Sequence, residues 1–296
     1  MQSIVATILA LAMSLGSFAA ALTGDQKTAD LLKQARAALG GDKLDKVQGL
    51  SATGTYQRQI GDRNLKGELS IDLQLPDKML RTETMNPMGD ATITMEMGFN
   101  GDKVLRHSTT TGGGPNMMIR INPPGGADAE AQALRNARAD FARLVIAFLL
   151  TSPQAMPVEF AYGGQAESPD GKADVLDAKG AGSFAAKVLI DPASHRPLMM
   201  VYQGIAPRIV MSTQTAPPGA HPDPEQVKKA ADAAAAAQPA PQLVDISMFL
   251  DDYRQVDGVW LPHHVSRSID GKPNEEWTFT TIRLNPSFKP DTFSVK

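Results

Sequence analysis

Residues able to do chemistry are sparse in this chain, and their spacing argues against most of it. There is no cysteine. That removes disulfides, zinc thiolate sites, cysteine nucleophiles and a cysteine-borne lipid anchor together. His263 and His264 are adjacent and lie across an expected hairpin from Asp251 and Asp252. Neighbours in a strand point to opposite faces, so the two imidazoles cannot share one metal ion without a bulge. Asp252 with His263 makes at most a two-ligand set, and a cross-strand Asp–His ion pair on an outer face is the reading this spacing favours. His107, His195 and His221 are isolated. No Gly-x-Ser-x-Gly elbow, Walker loop or dinucleotide fingerprint is present. The glycines at 112–114 run into Pro115 and not into a capped helix. Met117-Met118 and Met199-Met200 offer soft thioethers suited to Cu(I), but no His-Met cluster at short spacing accompanies them, and core filling is the plainer role. No catalytic residue, metal site or cofactor is nominated.

What remains is apolar, and its pattern is that of strands. The stretch 248–285 holds two Asp-Gly turns, at 257–258 and 270–271, between runs rich in Val, Ile, Trp, Phe, Tyr and Thr. Asp-Gly suits a type I′ turn, whose two central residues need positive φ, so the stretch is expected to be a three-strand antiparallel meander. The first turn places Asp252 opposite His263, Tyr253 opposite Pro262 and Gln255 opposite Trp260. The second places His264 opposite Trp277 and Pro262 opposite Phe279. One face then carries Phe249, Tyr253, Trp260, Pro262, His264, Trp277 and Phe279, and is inferred to be the buried or ligand-facing side. The other carries Leu250, Asp252, Arg254, His263 and Glu276.

The same period recurs upstream. Leu69, Ile71, Leu73 and Leu75 alternate with polar residues, as do Ile93, Met95, Met97 and Phe99. Strands are expected at 49–60, 65–75, 78–85, 91–99 and 103–108, and again at 157–163, 173–178, 183–190, 198–204 and 207–213. Clean alternation points to antiparallel sheets with one apolar face. Residues 109–127 read as a Gly/Pro-rich loop. Two helices are expected. One follows a Thr23-x-x-Gln26 capping box and ends at Gly40-Gly41. The other spans 128–150, with Leu134, Phe141, Leu144, Val145, Phe148 and Leu149 on one side and Arg135, Arg138, Asp140 and Arg143 mainly elsewhere. A solvated face is the ordinary role for those arginines, and contact with anionic headgroups the alternative.

Net charge is −3 with both signs scattered, which gives no electrostatic footprint for nucleic acid. Residues 1–21 read as a secretory signal peptide: 4–18 are mostly apolar but too short to span a bilayer, and Ala19-x-Ala21 fits a cleavage motif. The segment before the apolar run lacks Lys and Arg. No later stretch is apolar enough for a transmembrane helix. A periplasmic protein is expected, with one domain over 22–296 and a Pro/Ala-rich surface insert at 215–242.

The layout then resembles a known family. It runs from a helix ending in Ala-Leu-Gly-Gly through Leu-Pro-Asp-Lys-Met at 75–79, Phe-Asn-Gly-Asp at 99–102 and Ile-Asp-Pro at 190–192. It closes on Asp-Tyr-Arg-x-x-Asp-Gly-Val-Trp-Leu-Pro-His at 252–263. This is similar to the exported bacterial proteins related to the periplasmic lipoprotein carriers LolA and LolB. The resemblance implies a mainly β fold with helices (α+β), a curved antiparallel sheet forming an incomplete β-barrel, with a helical lid over an apolar concave side where acyl chains bind. None of the matched motifs carries over a functional residue of the carriers.

The expected function is an exported binding protein that holds a lipid or lipoprotein acyl chain, or another apolar ligand. The driving force would be burial, worth about 0.8 kcal/mol per methylene. The expected lining is Ile71, Leu73, Ile93, Met95, Met97, Trp260 and Trp277, with Phe141, Leu144 and Phe148 as the lid. The alternative is an envelope sensor or protein-interaction module in which the insert at 215–242 meets a protein partner.

Overall fold

The computed structural model describes residues 21–60, 63–88, 91–111, 116–121, 128–169, 171–205, 209–214 and 242–294, with isolated positions between the last two spans. The expected signal peptide lies outside them apart from Ala21, and the insert at 215–242 almost wholly so. Helix α1, Ala21–Leu39, buries Leu31, Ala35 and Leu39, one every fourth residue, which makes a single apolar stripe. It begins upstream of the expected capping box. Gln26 Nε2 donates to Asp30 within the helix. Its end is as expected: Gly40 and Gly41 take φ of 149° and 60°, and a Cβ on Gly40 would sit 3.1 Å from the carbonyl oxygen of Gly258.

The strands that follow are β1 (Gly49–Ile60), β2 (Arg63–Gln74), β3 (Lys78–Met88), β4 (Ala91–Asn100), β5 (Lys103–Thr111) and β6 (Asn116–Ile121). Helix α2, Ala129–Leu149, leads to β7 (Val158–Ser168), β8 (Gly171–Gly180), β9 (Ala185–Ile190), β10 (Pro197–Ile205) and β11 (Ile209–Gln214). The chain closes with β12 (Leu243–Val256), β13 (Val259–Ile269) and β14 (Lys272–Leu284). Twelve strands form one antiparallel sheet in the order β5-β4-β3-β2-β1-β14-β13-β12-β10-β9-β8-β7. β5 and β7 remain edges, so the sheet curves without closing into a barrel. One core cluster joins Ile93 and Phe99 of β4 to Val158 and Phe160 of β7, near the two ends of the sheet. A flat sheet of this width could not bring those residues together, and the helices lie in the hollow its curl creates. This is the expected incomplete barrel.

Three local expectations change. Residues 116–121, expected as loop, form β6, and β6 pairs with β11 in a separate two-stranded ribbon. The Gly run at 112–114 and Pro115 lie outside the described residues. In the final meander both Asp-Gly turns have positive φ at both residues, as type I′ requires. Tyr253 opposes Pro262 and Gln255 opposes Trp260, as expected. Asp252 takes φ 49°, yet β12 and β13 keep the expected register on both sides of it, with Asp251 opposite His264. What changes is the inward face, which carries Leu250 and Val265 and not Phe249. A slip lies between Arg267 and Ser268 on β13, and Asn274 is passed over on β14; Trp277 then opposes Val265 and not His264. One extra residue reverses the side-chain phase beyond it. Trp277 and Phe279 therefore join Leu250 and Val265 in the core, and Phe249 stays in a small outer cluster with Met199 and Leu189.

Candidate functional site

The concave face is where the expected lining collects. Ile71, Leu73, Ile93, Met95 and Trp277 are all buried and belong to the core cluster, as do Phe141, Leu144 and Phe148 of α2. The helix meets the sheet through aromatic edges: Phe99 and Phe141 rings are 5.4 Å apart at 86°, and Phe148 and Phe279 are 6.2 Å apart at 82°. Phe141 and Phe148 have no exposed surface. The space between α2 and these strands is therefore occupied by side chains.

Two expected lining residues stand apart. Met97 is half-buried and outside the core cluster, between Arg81 and Arg106 in register. Trp260 alternates with the buried Val259 and Leu261, so it lies on the opposite face of β13. There the Arg196 guanidinium sits 4.0 Å above its ring. The register from the first turn to Trp260 is as expected; the inward face there belongs to Val259 and Leu261. The histidine expectation changes too. His264 meets Asp251, Nδ1 to Oδ1 at 2.9 Å, while Asp252 holds Arg254. His263 is buried, with Nδ1 3.1 Å from the carbonyl oxygen of Leu261.

Helix α2 is fastened unevenly. Of its buried residues only Ala133 precedes Phe141. Arg138 clasps the β4–β5 turn, donating to the Asp102 carboxylate at 2.7 Å and to the Gly101 carbonyl oxygen. At the other end Leu150 takes a left-handed cap, φ 46°. Arg36 of α1 donates to the Leu149 and Leu150 carbonyl oxygens and to Thr151 Oγ1. A cation suits a helix C-terminus because the last carbonyls carry partial negative charge.

The concave face also holds a buried ionic network that the sequence reading did not nominate. Arg58 of β1 donates to both Glu83 oxygens at 3.0 and 2.7 Å and to Glu275 Oε1 at 2.6 Å. Arg81 lies 2.7 Å from Glu83 and donates to Glu275 at 2.7 Å. Arg267 donates to Glu275 Oε2 at 3.1 Å and to the Tyr202 hydroxyl at 3.0 Å. Burial opposes charge on Glu275, yet the guanidiniums of Arg81, Arg58 and Arg267 hold its carboxyl well below the usual carboxylate range. Burial likewise opposes the charge on Arg58, and Glu275 and Glu83 more than offset it, so its pKa rises. The layer is completed by aromatics: Arg81 lies 4.7 Å from the Trp277 ring, and Arg143 of α2 lies 4.0 Å from that of Tyr202. Tyr56 fits beneath because β2 has Gly67 there; a Cβ would come 2.8 Å from the Tyr56 ring and 2.2 Å from the Thr84 carbonyl oxygen. The sequence carried one signal for this network: Arg58 and Glu275 stand two residues from the apolar inward residues Tyr56 and Trp277 on the same face of β1 and β14.

Three solved structures are similar to this chain along most of its length. A LolA superfamily protein from Nitrosomonas europaea matches at 8% identity and a TM-score of 0.45, covering 90% of this chain and 97% of that one. A DUF1329 family protein from Desulfovibrio piger matches at 8% identity and 0.44, covering 90% and 96%. A putative outer membrane lipoprotein-sorting protein domain from Vibrio parahaemolyticus matches at 10% identity and 0.41, covering 91% and 97%. No family model and no curated protein matches the sequence.

Proposed function

We propose that this chain is an exported, periplasmic binding protein. It holds the acyl chain of a lipid or lipoprotein, or another chain-like apolar ligand, between α2 and the concave face of the sheet. One observation carries the reading: the concave face is roofed by a helix that packs tightly only through its second half, while residues 129–140 bury Ala133 alone. Such a roof can yield at one end. A ligand entering there would displace Leu134, Ala137 and Ala139 from the core and meet Phe99 beside Phe141. The role is binding and not catalysis.

The test is native mass spectrometry of the protein purified from its host, followed by titration of the delipidated protein with fatty acid and lipopeptide. A co-purified lipid mass and a shift in Trp277 emission are expected. A protein that carries no adduct and whose emission ignores both ligands refutes the reading. A second reading, an envelope sensor or interaction module, draws on Ile205 and Leu243. They face each other across β10 and β12 at the base of the insert and are 38% and 70% exposed. Deleting 215–242 separates the two readings, since lipid uptake survives it and capture of an envelope protein partner does not.

A further inference from the structure

The ionic network is layered by charge. Glu83 and Glu275 form its floor, with side chains 0% and 2% exposed, and Arg58 is nearly as deep at 9%. Arg81, Arg267 and Arg143 lie above, at 15%, 17% and 15%. Arg58, Arg81 and Arg267 against Glu83 and Glu275 leave one positive charge over. Arg143 is matched by Asp140. Hydrogen-bond donors are left over as well. The Nε atoms of Arg81, Arg143 and Arg267 and the Tyr56 hydroxyl are buried with no hydrogen-bond partner among the described residues, and Tyr56 itself is 2% exposed. Buried donors and charges are costly without partners. An acceptor able to meet them would carry negative charge and several oxygens.

The place fits a headgroup. Trp277, on which Arg81 stacks, leads to Phe279 at 6.2 Å, and Phe279 to Phe148 of α2 at 6.2 Å. A charged rim thus runs directly into the apolar interior. We propose that Arg81, Arg143 and Arg267, with the Tyr56 hydroxyl, bind the anionic headgroup, a carboxylate or a phosphate monoester, of the chain-like ligand. The proposal rests on the binding function of the preceding subsection and assigns the chemical class of that ligand. Arginine forks suit such oxygens better than a point charge does.

The experiment titrates the delipidated full chain with decanoate, decyl phosphate, decanol and inorganic phosphate, by calorimetry. Decanoate or decyl phosphate should bind roughly tenfold more tightly than decanol, the gain of one charge-assisted bond, and whichever is tighter names the source of the anion. Arg267→Met should bring the anions to within about twofold of decanol, because it removes the surplus charge. Asp140→Asn lies on an exposed side chain and leaves the floor intact. It should tighten the anions about threefold and leave decanol unchanged, which keeps the test valid if Arg267→Met unfolds. Decanol binding as well as the anions overturns the headgroup site while the apolar binding function stands. Inorganic phosphate binding as tightly as decyl phosphate also overturns it, in favour of a free-anion site. Failure of every decyl ligand refutes the binding function itself.

Discussion

Glu275→Gln is the most searching perturbation of the concave face, because one carboxylate answers three guanidiniums. It accepts from Arg58, Arg81 and Arg267 at 2.6, 2.7 and 3.1 Å and is 4% exposed. The amide keeps one acceptor oxygen but no charge, which leaves three arginines facing Glu83 alone. Removing one member of a buried ion pair costs about 3–5 kcal/mol. Urea unfolding at pH 7, followed by tryptophan emission, should show a loss of about 3 kcal/mol with an unchanged m-value, the lower end applying because the amide still accepts. The pH dependence gives an independent check. Glu275 titrates lower in the folded chain than unfolded, so its stabilisation is complete above the unfolded value and is lost as pH falls below it. Below roughly pH 4.3 the gap between wild type and variant should therefore close by about 1.4 kcal/mol per pH unit. Glu276→Gln, on the other face beside Gln57, is the control and should cost under about 1 kcal/mol. A Glu275→Gln penalty below about 1 kcal/mol, or a gap that does not narrow in acid, would refute the argument that the network is ionised and mutually dependent.

The other perturbations follow from single contacts. Phe148→Ala removes a side chain with no exposed surface that packs on Phe279, and should cost about 3–5 kcal/mol by thermal or urea unfolding. The cavity it leaves should also strengthen uptake of an apolar dye. Asp252→Gly should be tolerated and Asp252→Val should cost about 1–2 kcal/mol, since the position takes φ 49°, read as a shift in urea midpoint. Arg36→Met should cost about 1–3 kcal/mol and raise hydrogen exchange in the last turn of α2, where the Leu150 carbonyl oxygen loses its guanidinium donor and that of Leu149 keeps Thr151 Oγ1.

The sequence disclosed what is local. The Asp-Gly pairs announced their hairpins because positive φ at both residues is a property of two neighbours. The alternation from Leu69 to Leu75 and from Ile93 to Phe99 announced an apolar face because period two is the pleat itself. The bulge at Asn274 left no comparable mark. Asn274 looks like any residue beside a turn, and only the demand that Val265 and Trp277 both face inward reveals the extra residue. That demand is tertiary, so counting outward from a turn put Trp260 with Trp277 when the fold separates them. The arginine network was hidden by distance: Arg58 is 25 residues from Glu83 and 217 from Glu275. A strand with charges on both faces reads as mixed until the partners from β1, β3, β13 and β14 are laid side by side. The β6–β11 ribbon was hidden for the same reason.

The filled interior then decides how a ligand could enter. The second half of α2 buries Phe141, Leu144, Val145, Ile146, Phe148 and Leu149. At about 1.5–3 kcal/mol for each such side chain, undocking that half costs roughly 9–18 kcal/mol. A whole domain is stable by only about 5–15 kcal/mol, so lifting the entire helix amounts to unfolding. The first half is different. It is held by Ala133, by the partly buried Leu134, Ala137 and Ala139, and by the Arg138–Asp102 clasp, whose carboxylate is 92% exposed, and such a surface pair is worth at most about 1 kcal/mol. A saturated chain of ten methylenes gains about 8 kcal/mol on burial, enough to displace residues 129–140 and not enough to displace 141–149. Entry is therefore expected at the N-terminal half of α2, hinged near Phe141, beside Arg143 and the charged rim. Hydrogen exchange of the delipidated protein should show 129–139 opening far more readily than 141–149, with ligand slowing the first segment alone. Arg138→Ala should speed ligand association without changing stability by more than about 1 kcal/mol. Equal protection across both halves, or ligand-induced protection confined to 141–149, would place the entrance elsewhere.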